Sequence, residues 1–144
     1  MRYTSSGERP ETSARAVETL IALTRDTNEK VRDWATFALA TQTDIDTRVL
    51  RDALAARLND TCDDCRAEAL CGLAERHDSR VLVPLRRELQ SDCIGSLVIE
   101  AALAVASPEL LEFLLPLRDW WDVDPELLEQ AIAACSAANL PGGN

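Results

Sequence analysis

One stretch of sequence occurs three times along the chain. Its first copy, residues 26–40, reads DTNEKVRDWATFALA, and its second copy, residues 60–74, reads DTCDDCRAEALCGLA. A third copy, residues 92–106, reads DCIGSLVIEAALAVA, and residues 127–134 fit part of a fourth. The copies are separated by 34 and then by 32 residues. A period of this length is typical of proteins that are built from one repeated structural unit.

Apolar residues three and four positions apart predict one helix within each copy and another helix before it. The predicted helices cover residues 14–24, 31–40, 49–58, 65–73, 81–89, 97–106, 110–117 and 127–135. The helices before the copies are related as well, because Asp46 to Leu50 matches Asp78 to Leu82 at a separation of 32 residues. The repeated unit is therefore a pair of helices, and the chain contains about four pairs.

Small residues recur at two positions of the second helix in each pair. One position holds Ala35, Ala69, Ala101 and Ala131, and the other holds Ala38, Gly72, Ala104 and Ala134. Side chains of this size let helix axes approach closely. Because one pair cannot bury its apolar face alone, we expect an all-α fold in which the pairs stack into a short α-α superhelix, or solenoid.

The composition agrees with this fold class. The chain has 144 residues, of which 47% are apolar and only 4% are aromatic, and this favours close-packed helices over sheets. The length fits one domain. We predict a polar N-terminal segment over residues 1–13, one helical domain over residues 14–138 and a C-terminal tail over residues 139–144.

The charge balance excludes one class of function. The chain has 25 acidic and 15 basic residues, and its formal net charge is -10. Proteins that bind nucleic acid through its phosphates need a basic surface, so we expect no nucleic-acid partner. No apolar run approaches the roughly 20 residues that cross a bilayer, so we expect no membrane partner.

Three sequence features favour a cytoplasmic, bacterial protein. Residues 1–13 are too polar for the core of a signal peptide. The five cysteines are an odd number, so reduced thiols are the simpler expectation. Lys30 is the only lysine beside many arginines, a bias that is typical of GC-rich bacterial genomes.

Cys62 and Cys65 form a Cys-X-X-Cys pair, a spacing that can chelate a metal or close a disulfide. The chain has no second pair to complete a zinc site. In the repeat, Cys65 occupies the position of Val31 and Leu97, and Cys71 also occupies an apolar position. Both cysteines are therefore expected to be buried, as small hydrophobic residues. We therefore expect no metal and no cofactor.

The single histidine, His77, ends the second helix of the second pair. A cation is favourable at a helix C-terminus, so we interpret His77 as a capping residue. No recognisable motif joins a nucleophile, a base and an orienting acid. We therefore expect the protein not to be an enzyme.

The pattern Asp26-x4-Val31-Arg32-x2-Ala35-x2-Ala38-Leu39-Ala40, which returns from Asp60 to Ala74, resembles the short bacterial HEAT repeat of the phycobilin-lyase-like type. The resemblance covers residues 14–138. It implies four helical pairs in a right-handed superhelix that binds partners on the concave side, which the second helices line. It also implies ion pairs of Asp26 with Arg32 and of Asp60 with Arg66. The third copy has Val98 in place of the arginine, so the series of pairs is expected to stop there.

Acidic residues fall on the outward stripe of the second helices. The stripe holds Lys30, Trp34 and Thr41 in the first pair, Asp64, Glu68 and Glu75 in the second, and Ser96, Glu100 and Ser107 in the third. Spacings of four and seven residues place each trio on one side of its helix. With Asp63, these residues predict an acidic trough that ends at Trp34. Such a trough would bind a protein or basic peptide, and the alternative is an ordinary solvated surface.

Two tryptophans, Trp120 and Trp121, lie in the linker before the last helix. We expect one of them to seal the end of the stack. The other is a candidate partner contact, because exposed aromatic residues concentrate interface energy.

These features predict a non-enzymatic scaffold, adaptor or inhibitor that binds a protein partner. The alternative prediction is a lyase-like or chaperone-type HEAT protein that acts on a cofactor-bearing protein. This alternative follows from the resemblance alone.

Overall fold

The computed structural model describes residues 9–138 of the chain. All the regular secondary structure of those residues is helical. The α-helices are α1 (Arg9–Leu23), α2 (Glu29–Thr41), α3 (Arg48–Ala56), α4 (Asp63–Glu75), α5 (Leu82–Leu89), α6 (Ser96–Val105), α7 (Leu111–Leu114) and α8 (Pro125–Ala137). Short 3-10 turns cover Arg57–Asn59, Ser79–Val81, Pro108–Leu110 and Leu115–Asp119.

The prediction of an all-α protein is confirmed, and each predicted helix has its counterpart. The first helix begins at Arg9, however, and not at the predicted boundary of residue 14. Proline is tolerated in a first helical turn, where a missing N–H costs little, so Pro10 does not prevent the earlier start. The predicted tail, residues 139–144, and residues 1–8 lie outside the described part of the chain.

The helices pair in chain order, and the even-numbered helices form a row. α1 packs on α2, α3 on α4, α5 on α6, and α7 on α8. In addition, α2 packs on α4, α4 on α6, and α6 on α8. The even-numbered helices therefore form a continuous row, and each odd-numbered helix packs against its even-numbered partner.

Small side chains allow this row to pack closely, as the sequence predicted. Ala35, Ala69, Ala101 and Ala131 are completely buried. Gly72 marks the closest approach, because a Cβ atom added there would lie 2.7 Å from the Cβ of Ala40. The second helices therefore contact each other through their smallest residues.

The predicted register of the odd-numbered helices is wrong by one residue. The sequence match pairs Val49 with Val81, yet Val49 is 63% exposed and Val81 is 2% exposed. The buried positions correspond at a separation of 31 residues: Leu50, Leu54 and Leu58 in one unit and Val81, Leu85 and Leu89 in the next. The 3-10 turn Ser79–Val81 precedes α5, whereas α3 begins directly after its N-cap Thr47, and this difference shifts the register.

The ion pairs implied by the resemblance join different residues. Arg32 donates from Nε and Nη2 to both carboxylate oxygens of Asp60 at 2.9 Å, and only its Nη1 reaches the backbone oxygen of Asp26. Arg66 binds Glu88 and Asp63, and it reaches only the backbone oxygen of Asp60. Each arginine therefore extends past its own turn to an acid of the neighbouring elements. In the described part of the chain Asp92 forms no ion pair, as the absence of an arginine at Val98 predicted.

Asp60 is the centre of the junction between the first two pairs. It also accepts hydrogen bonds from Arg57 Nη1 at 2.8 Å and from the amide of Cys62 at 2.8 Å. Burial alone would raise the pKa of Asp60, but the hydrogen bonds from Arg32 and Cys62 hold it at about 2. The carboxylate therefore stays charged and binds the two turns together.

A second arginine, Arg76, connects the same two helix pairs, but mainly through backbone oxygens and not through a carboxylate. The buried side chain of Arg76 follows α4 and donates to five backbone oxygens, those of Leu39, Ala40, Thr43, Ile45 and Gly72. Leu39 and Ala40 belong to the last turn of α2, whose carbonyl groups have no partner within their own helix. Arg76 thus caps the helix of the neighbouring pair.

The end of α4 has an unusual backbone conformation. His77 has a φ of 57°, and its amide donates to the oxygen of Ala74, while the amide of Asp78 donates to Leu73. This is a left-handed helix end of the kind that usually holds glycine. His77 therefore does end the helix, but through its backbone. Ala106, with a φ of 51°, ends α6 in the left-handed conformation as well, and its amide donates to the oxygen of Ala102.

Candidate partner-binding face

Three of the even-numbered helices present acidic and aromatic residues on one shared surface. We call it the acidic face and define it by Asp33, Trp34 and Phe37 of α2, Asp64, Glu68 and Glu75 of α4, and Glu100 of α6. The helices α2, α4 and α6 lie side by side, so residues on their outward stripes become neighbours.

Glu68 lies at the centre of the acidic face. Burial, reinforced by the carboxylates of Asp33, Asp64 and Glu100, raises the pKa of Glu68 to about 7. Burial and the nearby Asp64 and Glu29 also raise the pKa of Asp33. These carboxylates therefore repel one another in the free protein.

Two oxygen atoms of this cluster are buried without a hydrogen-bond donor. They are Oδ1 of Asp33 and Oε1 of Glu68. A buried polar atom without a partner costs free energy, by about 1–3 kcal/mol for a typical group. Rotation of these side chains toward the surface would let a cationic hydrogen-bond donor remove this cost.

Aromatic residues border the acids on α2. Trp34 is 58% exposed and Phe37 is 38% exposed, and they lie three residues apart on the same side of the helix. Large aromatic side chains at this exposure are available for contacts with another molecule. The acidic face therefore combines charge with apolar surface.

The structure brings together most of the residues that the sequence selected. Asp64 and Glu100 both interact with Glu68. Glu75 joins Glu68 and Glu100 around the thiol of Cys71, whose pKa burial raises to about 12. Trp34 is exposed on α2, the helix that packs against α4. Their binding of a partner stays a prediction.

Other residues that the sequence selected lie outside the acidic face or already form an ion pair. The side chain of Asp63 is exposed, and it accepts a hydrogen bond from Arg66 at 2.6 Å. Ser107 is outside the stripe, because α6 ends at Val105 and Ser107 caps the next 3-10 turn. The exposed surface of the third pair is therefore shorter than predicted.

The two tryptophans of the last linker have different environments. Trp121 is 4% exposed, and its Nε1 donates to the backbone oxygen of Ile94 at 2.7 Å. Trp121 is therefore a core residue, and of the two tryptophans it is not the one available for a partner contact. Trp120 is 48% exposed and stays a candidate contact.

Sequence reasoning missed Asp33 and Phe37. The second copy has Ala67 at the position of Asp33, so the repeat gave no acidic signal there. Phe37 shares its repeat position with Cys71, which is buried, so the repeat gave no sign that Phe37 would be exposed. The helical spacing from Trp34 to Phe37 was the signal that could have identified an exposed aromatic pair.

One cluster has the residue types of a metal site. A carboxylate oxygen of Asp60 and the Sγ atoms of Cys62 and Cys65 all lie within 4.8 Å of one another, and the three residues are buried. Asp60 already accepts hydrogen bonds from Arg32 and Arg57, however, and two guanidinium groups repel a cation. The arrangement fits an ion pair beside a thiol pair better than a metal centre.

A cavity of about 470 Å³ lies beside this cluster, between the turns that precede α2 and α4. Arg25, Arg32 and Arg57 line it together with Asp26 and Asp60. Opposite charges nearly balance in this lining, and Arg32 and Arg57 already bind Asp60. The cavity does not select a ligand by its charge.

The described residues thus define an all-helical protein whose helix pairs pack in a row. This architecture is similar to the X-ray structure of the YibA protein of Escherichia coli, with a TM-score of 0.74 and 31% sequence identity. The match covers 93% of this chain and 50% of that chain. The fold is therefore shared with a solved helical protein.

Sequence comparison gives the same relative. The chain is 36% identical over 113 residues to Protein YibA of Escherichia coli strain K12 and to its counterpart in strain O157:H7. The matched region is 78% of this chain and 40% of each relative, so the chain spans less than half the length of these relatives. No protein-family model matches the chain.

No helix in the described range combines the length and the apolar character that a membrane crossing requires.

Proposed function

We propose that this protein is a non-enzymatic scaffold, an adaptor or inhibitor, that binds a basic segment of a protein partner on its acidic face. The observation that carries the proposal is the cluster of Asp33, Asp64, Glu68 and Glu100, in which two buried oxygens lack donors. A partner that supplies cationic donors would complete these contacts.

The proposal includes a HEAT-like architecture, in which the helix pairs form a short solenoid and the second helices line its concave side. Two observations support it: the contacts of α2, α4, α6 and α8 in sequence, and the buried alanines at repeating positions. Solenoids present extended surfaces that bind partners along several repeats. The acidic face extends over three such helices.

The chemistry of the face favours arginine or lysine in the partner. A guanidinium group can donate several hydrogen bonds to neighbouring carboxylates. Trp34 and Phe37 offer ring faces to a cation or an apolar side chain next to it. We therefore expect the partner segment, helical or extended, to carry basic residues next to apolar ones.

The proposal is tested with a fluorescently labelled, arginine-rich amphipathic peptide, whose binding is followed by anisotropy at several salt concentrations. We expect the double variant Glu68→Lys, Glu100→Lys to lose binding while its helical circular dichroism stays unchanged. Salt weakens binding through exposed charges, so the affinity of the native protein should fall as salt increases.

A matched control separates the acidic face from general charge attraction. Glu112 and Glu126 are exposed on α7 and α8, outside the acidic face, and Glu112→Lys, Glu126→Lys changes the net charge by the same amount. This control should retain binding. Equal loss in both double variants, or binding that Trp34→Ala leaves unchanged, would contradict the proposal.

The second prediction, a lyase-like or chaperone-type role toward a cofactor-bearing protein, is tested separately. Co-expression with a tetrapyrrole-bearing protein, followed by absorbance of the purified chain, reports retention of pigment. Pigment in stoichiometric amount would favour this role over the scaffold.

A further inference from the structure

Cys62 and Cys65 form a pair of thiols that the proposed scaffold leaves unused. Cys62 is the N-cap of α4, and Cys65 lies in its first turn. Their Sγ atoms lie within 4.8 Å of each other, and the amide of Cys65 donates to Sγ of Cys62 at 3.3 Å. Cysteines with this spacing at the start of a helix form disulfides in redox proteins. The sulfurs therefore need only a local rearrangement to meet.

The position of Cys62 is not explained by packing alone. The equivalent N-cap of α2 is Asn28, whose Oδ1 accepts from the amides of Lys30 and Val31. A thiol is a weak acceptor, so cysteine caps a helix less well than asparagine or serine does. Cys65 fills an apolar core position, but Cys62 occupies a position where a stronger cap was available.

The environment of the two cysteines is compatible with a thiol–disulfide exchange that starts at Cys62. Cys62 is 9% exposed at the edge of the turn, and Cys65 is completely buried behind it. The guanidinium of Arg32 lies close enough to both sulfurs for charge interactions. Burial raises the pKa of the Cys65 thiol well above its ordinary value, and Cys62 and Asp60 raise it further, so Cys62 is the sulfur placed to react first.

We propose that Cys62 and Cys65 are a redox pair that closes an intrachain disulfide by exchange with a disulfide oxidant such as oxidised glutathione. Cys62 loses its proton and attacks one sulfur of the oxidant, which gives a mixed disulfide and releases one glutathione that takes up a proton. Cys65 then loses its proton and attacks the Cys62 sulfur, and the second glutathione leaves and takes up a proton. Two protein thiols are oxidised, and one glutathione disulfide is reduced to two thiols.

The test uses the full chain with Cys93→Ser, because Cys93 is the exposed cysteine among the described residues and would react on its own. The folded protein is incubated with oxidised glutathione, alkylated and analysed as intact protein and after trypsin digestion. Cleavage after Arg57 and Arg66 leaves both thiols in one peptide, residues 58–66. We expect this peptide to lose two hydrogens and to resist alkylation, while Cys71 and Cys135 stay reduced.

Two variants separate the steps of the exchange. Cys65→Ala should accumulate a glutathione adduct on Cys62, because no second thiol resolves it. Cys62→Ser should leave Cys65 unmodified, and its serine cap should keep the helix folded. A persistent glutathione adduct on Cys62 in the parent protein would overturn the proposal, as would a disulfide that forms only in denaturant. Neither outcome depends on whether the acidic face binds a partner.

Discussion

At the scale of single residues, Gly72 and Glu68 show how one side chain is constrained by the helices beside it. Gly72 lies in the interior of α4, where glycine normally weakens a helix, and Glu68 is a charged residue surrounded by other acids. Gly72 is explained by its contact with α2, and the environment of Glu68 is set by acids of α2, α4 and α6. Each can be tested by a conservative substitution.

Gly72→Ala should destabilise the protein in spite of alanine's higher helix propensity. The added Cβ would lie 2.7 Å from the Cβ of Ala40 and 2.9 Å from Cδ1 of Leu54, so α2 and α4 would have to separate. We expect the free energy of unfolding to fall by about 1–3 kcal/mol, measured in urea. Gly95→Ser is the control, because a Cβ at Gly95 meets nothing within 4 Å and serine is a good N-cap. Similar losses in both variants would show that close packing is not the cause.

Glu68→Gln should stabilise the free protein more at pH 8 than at pH 5. The folded protein holds the proton of Glu68 up to about pH 7, whereas an unfolded glutamate releases it near its ordinary pKa of 4.5. Stability therefore falls as the pH rises through this interval, because Glu68 becomes charged beside Asp33, Asp64 and Glu100. Glutamine removes this loss, which we expect to be about 1 kcal/mol after solvent screening. Thermal unfolding at the two pH values measures it, and Glu112→Gln should show no such difference.

At the scale of the helical element, the ends determine where the chain turns. Asn28, Thr47 and Asp124 cap their helices with side-chain oxygens, while α4 and α6 end on residues with positive φ. The hydrophobic pattern located the helices but not these ends. The positive φ of His77 and Ala106 has no marker in the sequence, since glycine is absent from both positions.

His77→Gly should raise the stability of the protein. A non-glycine residue is strained in the left-handed region of φ and ψ, and the side chain of His77 is exposed. We expect a gain of about 0.5–1 kcal/mol in the free energy of unfolding. The matched control is Ala133→Gly, at an exposed position in the middle of α8, which should instead cost about 1 kcal/mol. A loss at both positions would contradict the assignment of strain to His77.

At the scale of the whole molecule, polar contacts between pairs fix how one pair joins the next. Asp60 and Arg76 connect the first pair to the second through different chemistry, one by ion pairs and the other by backbone oxygens. These contacts supplement the small-residue packing of the even-numbered helices. They also explain why both polar side chains are nearly buried.

Arg76→Met should destabilise the protein strongly. The substitution preserves much of the apolar stem but leaves the oxygens of Leu39, Ala40, Thr43 and Ile45 without their donor. We expect a loss of about 3 kcal/mol in chemical denaturation, because several buried acceptors become unpaired. Arg76→Lys should restore only part of the loss, since one ammonium group cannot reach all these oxygens. Arg87→Met is the control: Arg87 is exposed on α5, and a change within about 0.5 kcal/mol is expected there. Comparable losses at Arg76 and Arg87 would contradict the capping role.

The sequence by itself determined the helical class, the number and order of the helices, and the small residues between them. It could do so because these properties follow from local spacing: apolar residues at helical intervals define a face, and alanines at a fixed period define where neighbours approach. It also identified Asp64, Glu68 and Glu100 as one surface, since their positions in the repeat are equivalent or adjacent.

Only the tertiary structure decided which residues meet across the pairs. Arg32 binds Asp60 rather than Asp26 because the neighbouring turn, distant in sequence, lies within its reach. Trp121 is buried and Trp120 is exposed because the last linker turns against Ile94, and Asp33 joins the acidic face because α2 packs beside α4. Such contacts depend on the orientation of whole helices, and side-chain spacing along one helix does not specify that orientation.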